Sequence, residues 1–289
     1  MREGDMRRVD VNGTTLAVHD IGSGPAVVLL HGFPELSYSW RHQVPALVDA
    51  GYRVIVPDQR GYGASDVPEA VDEYSLELLV GDVVGLLDRL DAPTATIVGH
   101  DWGSIVAHTA ALTHPKRFDR VVSLNVAYRG ACWGFPSIGF IREHLADRFS
   151  YVLMFQEPGV AEAGFTADPE AWLNAFYLGG SRGRVFLDTD ELATYVDAFR
   201  GTGISGAVGW YRNIDANAAR YEHLKNAPIT QPSLLLAADG DPVLPLSLAD
   251  GVERWSPDID VVVIDDCGHW TQQEQPAAVN DALIGWLAS

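Results

Sequence analysis

The chain has 289 residues, 47% of them hydrophobic, with a mean hydropathy of +0.01, which is ample for a large buried core and too apolar for a disordered protein. Lys and Arg number 20 against 39 Asp and Glu, a formal net charge of −19, and Lys116 and Lys225 are the only lysines. A surface of that sign repels phosphate backbones and anionic membranes, so nucleic acid and membrane partners are not expected.

The polar, arginine-containing amino-terminal ten residues are not followed by the apolar stretch of a secretory signal. Short apolar or alternating runs at 7–11 and 15–19 flank Asn12-Gly13 and predict a hairpin. A strand at 26–30, far too short to span a bilayer, precedes a helix at 38–50. Strand 53–56, helix 75–90, strand 94–98, helix 104–113 and strand 120–126 follow. After a gap, strand 233–237, helix 246–255, strand 260–264 and helix 276–287 resume the alternation. Strands alternating with helices predict an α/β fold, with a mostly parallel sheet covered on both faces and opened by an antiparallel hairpin.

Between 128 and 227 the alternation stops, and aromatic, glycine-containing, helix-like segments replace it. We read 1–127 and 228–289 as the core and 128–227 as an inserted, mainly helical cap. Charge divides the same way: 10 basic and 17 acidic residues lie in 1–127, 9 and 12 in 128–227, and 1 and 10 in 228–289. The cap is nearly neutral and the core acidic. Cys132 and Cys267 make neither a C-x-x-C pair nor a disulfide framework, which fits a reduced, cytoplasmic protein.

The most specific local signal is Gly99-His100-Asp101-Trp102-Gly103, where a strand gives way to a helix. It has the small-x-nucleophile-x-small pattern of a nucleophile elbow, a strained turn that needs small neighbours. Its central residue is Asp101, where esterases carry Ser. A carboxylate attacking an ester would form a high-energy anhydride. Attack on a saturated carbon of an epoxide or alkyl halide forms an ordinary ester, and an aspartate near its usual pKa of about 3.9 is already ionised. Hydrolysis of that ester needs a base, and His269, in Gly268-His269-Trp270-Thr271 just after the last strand, is placed to serve. A lone loop histidine is more often structural, and it is the elbow that favours catalysis here. The base needs an orienting carboxylate. Ala238-Asp239-Gly240-Asp241-Pro242 offers two, and Asp241 is preferred because its turn neighbours present it sideways. Leu30-His31-Gly32-Phe33-Pro34 follows the first central strand, so the backbone N–H groups of Phe33 and Trp102 are the candidate oxyanion hole.

With these segments together the sequence resembles, over essentially its whole length, the soluble-type epoxide hydrolases of the α/β-hydrolase fold. The resemblance implies a cis Phe33-Pro34 bond and two cap tyrosines that hydrogen-bond the epoxide oxygen. Tyr151, in Tyr151-Val152-Leu153-Met154-Phe155, matches the first, and Tyr211, in Trp210-Tyr211-Arg212-Asn213, the second. A phenol is acidic enough to protonate a developing alkoxide while staying protonated at neutral pH. Phe33, Trp102, Phe155 and Trp210 are expected to line the substrate pocket. Trp133, Phe135, Phe140 and Trp172 add to an apolar, aryl-accepting character. Asp58-Gln59-Arg60-Gly61-Tyr62-Gly63 reads as a structural turn.

Haloalkane dehalogenases share the Asp nucleophile, but many place Asn where Phe33 stands. Fluoroacetate-type enzymes carry Arg where Trp102 stands. A ligand-binding protein without turnover would not need a water-activating pair. No metal motif, P-loop or dinucleotide fingerprint is present. The expectation is a cofactor-free hydrolase acting on a small neutral, apolar or aryl epoxide, with a homodimer as a possible assembly.

Overall fold

Asn12 and Gly13, both at positive φ (45° and 80°), turn the chain between β1 (Arg7–Val11) and β2 (Thr14–Gly22), which pair antiparallel. The computed structural model describes residues 6–130 and 136–289; Cys132, Trp133 and Phe135 lie outside the described residues. Six further strands complete the sheet: β3 (Ala26–Leu30), β4 (Arg53–Pro57), β5 (Ala95–His100), β6 (Phe118–Leu124), β7 (Ser233–Ala238) and β8 (Ile259–Ile264). Their order is β1-β2-β4-β3-β5-β6-β7-β8. The β1–β2 and β2–β4 pairs are antiparallel and the other pairs parallel, which is the α/β-hydrolase arrangement read from the sequence.

Both faces are covered, which is why the central strands are continuous apolar runs. Val28, Leu30, Ile55 and Ile97 face α2 (Leu76–Arg89) and α3 (Trp102–Thr113) in one cluster. Their neighbours Val27, Leu29, Val54, Val56 and Val98 join the cluster that contains α1 (Gln43–Asp49) and α11 (Pro276–Leu287). The period of two divides each strand between the two layers.

Between β6 and β7 the described chain runs through α4 (Ile138–His144), α5 (Ser150–Phe155), α6 (Val160–Ala167), α7 (Pro169–Gly180), α8 (Thr189–Thr202), α9 (Ser205–Arg212) and α10 (Ile214–Tyr221). Local chemistry sets their starts. Asp168 caps α7 by accepting from Ala171 N, with Pro169 in the first turn. Asp188 and Glu191 form a reciprocal capping box on α8. Apolar residues of these helices, such as Leu173, Phe199 and Val208, belong to the same cluster as one face of the sheet.

Two expected helices are broken. The segment 38–50 is a 3-10 turn at Ser37–Trp40 followed by α1. The segment 246–255 is no helix: 3-10 turns at Leu246–Ala249 and Val252–Arg254 are separated by extended Asp250 and by Gly251 at φ 75°. Glycine in the left-handed region cannot continue a right-handed helix. Among the described residues no helix is long and apolar enough to cross a membrane.

Candidate active site

Asp101 lies between the end of β5 and the first turn of α3, at φ 50° and ψ −121°. This is a strained setting for a residue with a Cβ, and it persists because the surroundings leave no alternative. A Cβ on Gly99 would meet Gly103 O at 2.2 Å, and one on Gly103 would meet Leu30 O at 2.1 Å, so the small residues of the motif answer to direct contact. Ser104 Oγ closes the turn by donating to Gly99 O at 2.7 Å.

The loop after β3 approaches from the neighbouring strand. Its Phe33-Pro34 bond is cis, and Phe33 N–H donates to Asp101 Oδ1 at 2.9 Å. The Trp102 N–H also bonds the Asp101 carboxylate. Burial raises the Asp101 pKa above the ordinary aspartate value, while His269, His100 and the two amides pull the other way.

His269 and Asp241 meet between the loops after β8 and β7. His269 Nδ1 is 2.8 Å from Asp241 Oδ2, and Nε2 is 3.7 Å from Asp101 Oδ2. Asp241 Oδ1 accepts from Val243 N and Leu244 N, and Oδ2 also accepts from Asn125 Nδ2. Burial alone would depress the His269 pKa; the charge and hydrogen bond of Asp241, together with the charge of Asp101, raise it to about 9. Asp239 is elsewhere, accepting from Cys267 N at 3.0 Å.

Behind this group lies a polar set that the sequence reading did not single out. His100 Nδ1 is 2.6 Å from Glu35 Oε2 and its Nε2 is 2.7 Å from the His269 carbonyl. Fully buried Glu35 also accepts from Gly32 N, Gln272 Nε2 and Gln273 Nε2. Asn125, at the end of β6, donates to His269 O as well as to Asp241. A signal for Glu35 exists: it directly follows His31-Gly32-Phe33-Pro34 and is the sole Asp, Glu, Lys or Arg between 21 and 40. Asn125 had no such signal, because it read as the end of a strand.

Tyr151 on α5 and Tyr211 on α9 face the site from the helical segment. They are hydrogen-bonded to one another, and burial, reinforced by the Asp101 charge, raises both phenol pKa values. Phe33 is ringed edge-on by Phe155 at 5.3 Å, Phe176 at 5.4 Å, Tyr211 at 5.1 Å and Trp172 at 6.2 Å. Trp210 does not join this box: its indole N–H donates to Arg60 O and its ring packs behind Trp102. Phe140 is also away from it, half-exposed against His144. Arg60 anchors the 58–63 turn by a buried pair with Asp82 at 2.7 Å. Among the described residues no group of three or more His, Cys, Asp and Glu side chains is placed to hold a metal ion.

The arrangement offers a buried carboxylate bonded by the Phe33 and Trp102 amides, with Oδ1 on Phe33, an imidazole beside Oδ2, and two phenols near enough to feel its charge. Residues 25–276 match the α/β-hydrolase fold family. The chain is 40% identical to epoxide hydrolase A of Mycobacterium tuberculosis, over 97% of this chain and 96% of that one. It is 37% identical to bifunctional epoxide hydrolase 2 of Mus musculus, over 95% of this chain and 54% of that one. The crystal structure of epoxide hydrolase A from Mycobacterium thermoresistibile superposes with a TM-score of 0.90 at 39% identity, covering 98% of both chains. With these relatives spanning almost its whole length, the chain belongs to the epoxide hydrolases of the α/β-hydrolase fold.

Proposed function

We propose that the protein converts an epoxide and water to a vicinal diol through an ester on Asp101. The observation that carries the reading is the carboxylate at the elbow, with Oδ1 held by Phe33 N–H and Oδ2 beside His269. In the first step Oδ2 bonds to an epoxide carbon. The ring C–O bond breaks toward oxygen, which takes a proton from the Tyr151–Tyr211 pair. Phenols kept protonated by burial are ready donors.

Ester formation neutralises Asp101, one of the charges that raise the His269 pKa. The imidazolium can then lose its proton, which replaces the one passed to the epoxide oxygen. Neutral His269, oriented by Asp241, takes a proton from water as its oxygen adds to the ester carbonyl. Charge builds on Oδ1, which the Phe33 amide bonds and which the scheme also assigns to the Trp102 amide. Collapse releases the diol, protonated by His269, and leaves Asp101 as a carboxylic acid, which passes the second proton of the water to His269 and so restores the carboxylate and the imidazolium.

Residues 128–227 act in this scheme as a cap over a core formed by 1–127 and 228–289. The Phe33, Phe155, Trp172 and Phe176 rings favour a neutral apolar or aryl epoxide. The paired tyrosines favour epoxide opening over halide displacement, because halide departure needs no proton donor. No cofactor enters the scheme. The cysteine pattern and the mycobacterial relatives fit a bacterial, cytoplasmic enzyme, and a homodimer is its proposed assembly.

The test is His269→Gln incubated with styrene oxide, digested and analysed by mass spectrometry. The peptide bearing Asp101 should gain the mass of the epoxide. No adduct there, with wild-type diol production intact, overturns the proposal.

A further inference from the structure

The last turn of α7 touches both loops that the proposed reaction uses. Buried Tyr177 donates its hydroxyl to Pro34 O at 2.7 Å, one residue beyond the Phe33 amide. Its carbonyl accepts the Trp270 indole N–H at 2.9 Å, and Gly180 O accepts His269 N–H at 3.0 Å. The Tyr177 carbonyl also takes the Ser181 N–H, whereas the carbonyl of Gly180, in the final turn where intrahelical partners run out, takes its partner from the histidine loop.

The contact leaves no slack. A Cβ on Gly180 would meet Trp270 Nε1 at 2.6 Å and His269 Cβ at 3.1 Å, and one on Gly268 would meet Gly180 O at 2.6 Å. The Tyr177 ring is held by Trp270 at 5.3 Å and Tyr195 at 5.3 Å. The same helix carries Trp172 and Phe176, which stand against Phe33.

We infer that Tyr177 is a positioning residue for the second chemical step, fixing the oxyanion loop through Pro34 and the histidine loop through Trp270. The inference rests on the reaction proposed above. The Phe33 amide already bonds the ionised Asp101 carboxylate, whose charge is spread over two oxygens. During alkylation that charge moves to the epoxide oxygen, so a well-placed amide does nothing to speed this step. During ester hydrolysis a full charge localises on Oδ1, and the amide bond strengthens. Loosening the loop therefore slows ester breakdown selectively.

The test compares Tyr177→Phe with Tyr128→Phe by rapid-quench mass spectrometry of ester formation and decay on styrene oxide. Tyr128 is a matched control, since its buried ring donates to Ala227 O at 2.6 Å away from both loops. Tyr177→Phe should leave the rate of ester formation within about twofold and slow ester decay about tenfold, the scale expected for a small misplacement of a reacting group. With decay rate-limiting, kcat and KM then fall together at constant kcat/KM. Tyr128→Phe should change neither rate. Wild-type decay in Tyr177→Phe, or formation and decay slowed equally, overturns the inference. If Tyr177→Phe does not fold, Trp270→Phe, which cuts the other tie, must show the same split or the inference falls. A wild-type protein that forms no ester with any epoxide would instead sink the proposed function.

Discussion

His269 Nε2 stands 3.7 Å from Asp101 Oδ2, close enough for their charges to interact and beyond hydrogen-bond reach. Asp101 is thus part of why His269 titrates at about 9, and esterification of Asp101 removes that part. In the proposed second step His269 must be neutral, so its activity is lost as pH falls through the His269 pKa of the ester form. Loss of the Asp101 charge should lower that pKa. Asp101→Asn mimics the uncharged ester and should lower the His269 pKa, read by NMR titration of its imidazole. The acid limb of wild-type ester hydrolysis should coincide with the lowered value. An acid limb centred at 9 would show that Asp101 has no such influence.

In the proposed mechanism the two phenols act only while the epoxide opens. Tyr151→Phe and Tyr211→Phe should each lower kcat/KM by about 10²-fold, the lower end of the range for general acid catalysis, and the double variant should lose more. Decay of an ester once formed should stay within a few-fold of wild type. Single-turnover kinetics separate the two phases, and an equal effect on both would remove the tyrosines from the first step.

Glu35 makes a separate prediction about stability. Burial would raise its pKa, but the charge and hydrogen bond of His100, with the Gly32 amide and His31, hold it down to about 2. A depressed carboxylate stabilises the fold above its unfolded pKa of about 4.3. That contribution is lost as pH falls toward the folded value. Glu35→Gln should cost about 2–4 kcal/mol at pH 7, because it leaves His100 without its carboxylate partner. The deficit should shrink between pH 4.5 and 2. Urea unfolding over that range measures both, and a pH-independent deficit would contradict the assignment.

Much of the fold was legible because local rules and tertiary structure agree. The Asn12-Gly13 turn, the short apolar strands and Gly99, which packs on Gly103, each carry their structural reason within a few residues. Where geometry depends on distant contacts, the sequence was less informative. The 246–255 segment has helical composition, yet Gly251 breaks it into two tight turns. Trp210 sits beside Tyr211 in sequence, but its indole N–H turns to Arg60 O, away from the Phe33 box. Glu35, Asn125 and Tyr177 gain their meaning from distant partners: His100 is 65 positions from Glu35, Asp241 is 116 from Asn125 and Pro34 is 143 from Tyr177.

Phe33 divides its backbone from its side chain. The N–H serves the proposed chemistry, while the ring is the hub of the aromatic box that would meet the substrate. A change of ring at this position moves selectivity and rate together, so variation there is constrained from both sides. Trp172 and Phe176 touch that ring from a helix and supply no atom to the proposed chemistry. They are the positions at which substrate preference is free to drift, and a library aimed at new epoxides belongs there.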